Sequence, residues 1–182
     1  MSATQSVTTC LWFDTQAHEA AQLYTSLLPD SEIGAVSRYP QDHDFPSGAP
    51  GGVLTVDFRL GSQRFVGLNG GPHYQLTPAA SIQVYCPDQA EVDRLWDALT
   101  ADGGEESQCG WLVDRFGLSW QIIPTRLTEL MTDPDPGRAQ RAAAAMLTMR
   151  RLDIAALEAA ADGQPAPPST PTEPTDAEAG RA

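Results

Sequence analysis

The side chains whose types and placement suit them to a binding face in this sequence are mostly neutral. Ser81 and Gln121 stand in short alternating segments, with Ser81 opposite the apolar set Ile82, Val84 and Cys86. A hydroxyl and a carboxamide on such a face can donate and accept hydrogen bonds, which suits a bound polar molecule. Neighbouring backbone or ordered water can satisfy the same groups equally well. Trp111 and Trp120 offer flat apolar rings to an aromatic ligand, although core packing is the commoner use of at least one of them. Cys109, between Gln108 and Gly110, is the one cysteine in a polar, glycine-flanked setting and can act as a nucleophile if a base takes its proton. The sequence places no histidine beside it. His73 follows Asn69-Gly70-Gly71-Pro72; at a cleft rim its imidazole can serve as general base, and a solvated turn histidine is the commoner outcome.

Two runs of elements position these groups. Val7 to Phe13 reads as a strand, and Asp14 or Thr15 as the cap of a helix with Ala20, Leu23, Tyr24 and Leu27 at helical spacing. Extended segments follow at 33–39, 53–60 and 64–68. A second run starts at Ser81 with an alternating strand to Cys86, an Asp88-x-x-Glu91 capping signature, and the stripe Val92, Leu95, Trp96, Leu99. Gly103-Gly104 ends that helix, and strands are expected at 109–113 and 118–123 around a turn at 114–117. Thr9 to Tyr24 and Ser81 to Trp96 are equally spaced, so the two runs read as a duplicated unit, 6–70 and 79–124. Each unit covers one sheet face with its helix, and two such units can set their spare faces around a shared cleft.

Beyond Pro124 the pattern becomes helical. Thr125 to Met131 forms one helix, which the run 133–137 breaks; Arg138 to Arg150 forms another. Asp153 caps a last helix, with Leu152 and Leu157 as a hydrophobic staple, completing an extension over 125–162. Residues 1–5 and the proline-rich 163–182 carry no apolar stripe and are expected to be disordered.

The bulk properties limit the partners. At 182 residues and 41% hydrophobic, the chain can bury an ordinary core. Its 24 acidic residues outnumber its 11 basic ones, and a net charge of -13 repels nucleic acid and anionic membranes. Cys10, Cys86 and Cys109 are odd in number and far apart, which suggests neither a disulfide framework nor a zinc ribbon. The opening Met-Ser-Ala-Thr-Gln-Ser lacks the blocks of a signal peptide, so a cytoplasmic location is expected.

Leu11-Trp12-Phe13-Asp14, Leu68-Asn69-Gly70-Gly71-Pro72-His73, Gln108-Cys109-Gly110-Trp111, Trp120-Gln121-Ile122-Ile123-Pro124 and the run 133–157 together resemble the PhnB-like branch of the vicinal oxygen chelate (glyoxalase/bleomycin resistance) superfamily. The resemblance covers residues 6 to 160 and implies an α+β fold of paired βαβββ modules, and a homodimer. Many such relatives carry a demethylubiquinone methyltransferase label. A methyltransferase of the common type needs a glycine-rich turn from strand to helix. Here Gly70-Gly71 runs into Pro72, and Gly103-Gly104 closes a helix. Metal-dependent members of the superfamily carry His or Glu at four cleft positions. By register these are Thr9, then Gly67 or Asn69, then Ser81, then Gln121 here, all neutral. Such a set gives a divalent ion no charge compensation. His18, His43 and His73 fall elsewhere, so no metal and no other cofactor is expected.

These readings lead to a small-molecule ligand bound by Thr9, Asn69, Ser81, Trp111 and Gln121, with His73 or Cys109 as catalytic groups. Two functions fit: a metal-independent enzyme acting on a small polar or aromatic metabolite, or a protein that sequesters its ligand unchanged.

Overall fold

Alternation of apolar and polar residues builds the first sheet. Strands β1 (Thr9–Phe13), β2 (Glu32–Arg38), β3 (Val53–Leu60) and β4 (Gln63–Asn69) and helix α1 (Ala17–Leu27) run in the order β1, α1, β2, β3, β4. The structure is a computed structural model and describes residues 7–42 and 49–165. His43 and most of the proline-rich tail lie outside the described residues. The second unit repeats the order: β5 (Ser81–Cys86), α2 (Gln89–Thr100), then β6 (Glu105–Glu106), β7 (Trp111–Val113) and β8 (Ser119–Pro124). The sheets are β1-β4-β3-β2 and β5-β8-β7-β6, and in each the first strand pairs in parallel with the last. Fold and duplication are as the spacing predicts. The strand expected at 109–113 begins only at Trp111, leaving Cys109 in the preceding turn.

The packing corrects one expectation. Leu11, Phe13, Val56, Phe58 and Phe65 of the first sheet share one buried cluster with Cys86, Leu112, Trp120 and Ile122 of the second, and with both helices. The Tyr24 ring of α1 sits 6.2 Å from Phe58 and 5.0 Å from Trp120, so the helix lies between the sheets. The helix-covered faces therefore look at each other, and the spare faces point apart. Within one chain they do not enclose a shared cleft.

The equal spacing also hides a one-residue slip. Three residues, 14–16, join β1 to α1, whereas two, 87 and 88, join β5 to α2. Because strand side chains alternate, one residue exchanges the faces. Leu11 and Phe13 point inward and are buried; Gln83 and Tyr85, at the matching spacing, point outward and are exposed. Thr9 thus shares the inner face of its sheet, while Ser81 belongs to the outer face of the other.

The helix ends differ from expectation in two places. Gln16, not Asp14 or Thr15, stands at the N-cap of α1, and the Ala17 N–H donates instead to Asn69 Oδ1 at 2.8 Å. At α2 the expected cap forms: Asp88 Oδ1 accepts from Glu91 N–H at 2.9 Å, though the Glu91 carboxylate turns to Arg94. Beyond β8 come α3 (Thr125–Met131), α4 (Pro136–Met146) and α5 (Ile154–Ala161). The break after α3 falls as expected, but Pro136-Gly137 already opens α4, since proline is favoured at the first helical position and Asp135 accepts from Gly137 N–H at 2.8 Å, and α4 ends at Met146, short of Arg150. Asp153 caps α5 as expected, accepting from Ala156 N–H at 2.8 Å, and Leu152 and Leu157 meet in a second core with Ile123, Leu127 and Leu130.

Candidate functional site

Strand β8 runs between β5 and β7, so a residue on its outer face has a neighbour on each side. Gln121 is aligned with Gln83 of β5 and with Trp111 of β7, which sets a polar row with an aromatic end across the outer face of the second sheet. The Gln121 Nε2 donates to Ser81 Oγ at 2.8 Å. Its Oε1 accepts no hydrogen bond among the described residues, leaving one acceptor for another molecule. Gln83 Oε1 accepts from Tyr85 O–H at 3.2 Å. Beside the row Ser119 is buried in register with Ser81 and Val113, and its hydroxyl has no partner among the described residues. Sequence reasoning missed Gln83 and Ser119. The period-two alternation through Ser81 and Gln121 marks both, each two residues away on the same face.

Thr9 is not part of this row. It lines a cavity of about 540 Å³ between the modules, together with Leu11, Gln63, Phe65, Ser81 and Gln83. An adjoining cavity of about 630 Å³ shares Gln63, Phe65, Ile82, Gln83 and Tyr85. The Thr9 Oγ1 lies 3.4 Å from Gln63 Nε2. Ser81 and Gln83, on the edge strand β5, stand where this groove meets the outer face of the second sheet.

Asn69 does not join either group. Its Oδ1 caps α1 and its Nδ2 donates to the Val53 carbonyl at 3.0 Å, so both ends of the carboxamide serve the fold. Trp120 is a core residue, 1% exposed, and its indole N–H donates to Asp114 Oδ2 at 2.8 Å. His73 is exposed in the turn between the modules, and Cys109 is half-buried in the turn before β7. No hydrogen bond among the described residues links either to Ser81 or Gln121. Of the other thiols, burial pushes Cys86 up to about 12, with Glu91 adding to the effect, so it stays protonated; partial burial raises Cys10 as well.

Ser81 and Gln121 offer a divalent metal neutral oxygen and nitrogen alone, and the slip removes Thr9 and Gly67 to the inner face. Gly67 packs there, where a Cβ would come within 3.1 Å of the Ala17 Cβ. Among the described residues no three His, Cys, Asp or Glu side chains are grouped to hold a metal ion. The donor set does not fit the metal of the superfamily.

Comparison with known proteins agrees with this architecture. The sequence profile described as 3-demethylubiquinone-9 3-methyltransferase matches residues 5–123. A solved PhnB protein from Bacillus cereus is 34% identical; the match covers 66% of this chain and all of that one, with a TM-score of 0.59. Protein PA1353 from Pseudomonas aeruginosa is 22% identical over 66% of this chain and 98% of its own, with a TM-score of 0.54. The fosfomycin resistance protein FosX from Listeria monocytogenes is 14% identical over 72% of this chain and 100% of its own, with a TM-score of 0.49. Among curated proteins no relative matches. The chain has the glyoxalase/bleomycin resistance-like fold, two four-stranded mixed sheets with helices. It belongs to the PhnB-like family of the vicinal oxygen chelate superfamily, the family carrying the 3-demethylubiquinone-9 3-methyltransferase description.

Proposed function

We propose that the outer face of the second sheet binds a small, neutral molecule bearing a carbonyl, amide or hydroxyl group. The observation that carries this reading is the Ser81–Gln121 pair, whose carboxamide oxygen is left open on an uncharged row beside Trp111. A carboxamide held by one hydrogen bond is oriented; its open oxygen can then take a hydroxyl or amide donor and its second N–H a carbonyl oxygen. The glycine turn does not support methyl transfer as the reaction. Gly70 and Gly71 donate their N–H groups to the Phe13 and Asp14 carbonyls, which spends the backbone that a nucleotide would need.

Sequestration is the better supported of the two functions, because His73 and Cys109 make no hydrogen bond to the row while Ser81 and Gln121 bond to each other. A metal-independent enzyme is the other reading, with His73 or Cys109 brought to the ligand. We further read the protein as a homodimer. Asp57 of β3 and Gln83 and Tyr85 of β5 stand exposed on the outer faces, and a second copy offers a surface that would cover them. A net charge of -13 disfavours nucleic acid and anionic membranes as partners. No helix among the described residues is long and apolar enough to cross a membrane. A cytoplasmic location fits the free thiols.

A thermal-shift screen of neutral aromatic and polar metabolites, with mass analysis of each stabilising compound after incubation, tests the function. A compound recovered unchanged supports sequestration, and a converted one supports catalysis. Stabilisation only by chelatable metals would contradict both. Sedimentation at several concentrations tests the dimer, and a single monomeric species throughout would contradict it.

A further inference from the structure

The three C-terminal helices lie outside the stretch matched by the family profile. They are nevertheless built into the corner that carries Trp111. Between β6 and β7 the chain turns through Cys109 and Gly110, with φ of 59° and 82°. A left-handed cysteine is unfavourable unless its surroundings hold it. The extension does so: Cys109 N–H donates to the Met149 carbonyl and Gly110 N–H to the Arg150 carbonyl, each at 2.8 Å. The Gly110 carbonyl in turn accepts from Ile122 N–H at 2.8 Å, one residue from Gln121. Leu152 lies against this corner so closely that a Cβ on Gly110 would come within 2.9 Å of its Cδ1.

The segment that supplies these contacts is itself pinned to α2. The Gln89 carboxamide donates to the Leu152 carbonyl at 3.1 Å and accepts from Ile154 N–H at 2.9 Å. Arg151 pairs with Asp93 and Asp97 and lies 5.9 Å from the centre of the Trp96 ring. The segment 149–154 is thus held on one side by α2 and on the other by the turn that enters β7.

We propose that the C-terminal extension is a positioning element of the ligand face. Through Leu152 and the backbone of 149–150 it holds the Cys109–Gly110 corner, and so sets where the Trp111 ring stands beside the Gln121 carboxamide. That pairing of a flat apolar ring with an amide suits a planar neutral ligand, an aromatic ring bearing a carbonyl or hydroxyl. The proposal rests on the reading that the outer face of the second sheet is the binding surface.

The test uses the full-length chain labelled with 5-fluorotryptophan, whose Trp111 fluorine resonance is assigned with a Trp111→Phe variant. Leu152→Ala should shift that resonance, and Leu152→Met, which nearly keeps the volume, should restore it. Leu130→Ala removes a leucine from the same second core and should leave the resonance in place despite a similar loss of stability. Benzamide is the binding probe; its affinity should fall roughly fivefold in Leu152→Ala, about the worth of one aromatic contact, and recover in Leu152→Met. If Leu152→Ala does not fold, Gln89→Leu, which removes the two bonds to the segment without opening a core cavity, should shift the resonance. An unmoved Trp111 resonance, or one moved equally by Leu130→Ala, overturns the positioning role. If benzamide fails to bind the wild type, the ligand class is wrong, while the resonances still decide whether the extension holds Trp111.

Discussion

Asp114 shows how a single buried charge joins the two modules. It is 2% exposed and accepts from Tyr24 O–H of the first module at 2.7 Å, from Trp120 Nε1, and from the Phe116 and Leu118 N–H groups. Desolvation raises its pKa above the ordinary carboxylate value, and the four donors only partly offset this. The same carboxylate, with burial as the larger cause, holds the Tyr24 phenol well above its usual range. Asp114→Asn keeps the shape but turns an amide donor toward groups that already donate, and should cost about 1–3 kcal/mol in denaturant unfolding. A carboxyl whose pKa is raised on folding contributes most below its unfolded value, near 3.8, and loses that contribution as pH rises through the folded value. The stability gap between wild type and Asp114→Asn should therefore be widest in acid and narrow as pH rises; a gap that widens with pH would contradict the shift. In sequence Asp114 reads only as a turn residue. Its partner Tyr24 lies 90 positions away, and no local pattern announces the pairing.

At the scale of elements, the sequence showed which segments form and how they repeat, because apolar spacing, Asp88 and Asp153 mark their own helices. It did not show how α1 begins. The cap comes from Asn69, 52 residues away at the end of β4, so a residue expected to bind ligand instead ties a helix to the sheet. Asn69→Ala should destabilise the fold by about 2 kcal/mol, since a buried helix N–H and the Val53 carbonyl both lose their partner. An unchanged midpoint in urea would contradict this. The one-residue slip was equally hidden. Equal spacing from strand start to helix stripe conceals a longer β1–α1 junction, and only the burial of Leu11 and Phe13 against the exposure of Gln83 and Tyr85 reveals it.

At the scale of the whole molecule, the helices lie between the sheets and the outer faces look apart, so the surface proposed to bind ligand belongs to one sheet and not to a cleft between two. That Ser81, Gln121 and Trp111 share one sheet face was legible because strand alternation is a local property. Thr9 was assigned to the same site through the family register, and long-range packing placed it on the inner groove. The central claim is that ligand binds on the outer face through Gln121, and titration calorimetry with a compound from the screen tests it most directly. Gln121→Leu nearly keeps the volume and should weaken binding by about 1–3 kcal/mol. Gln63→Leu, which alters the inner groove, should leave affinity unchanged. Binding that survives Gln121→Leu and is lost in Gln63→Leu would move the site to the groove between the modules and contradict the account.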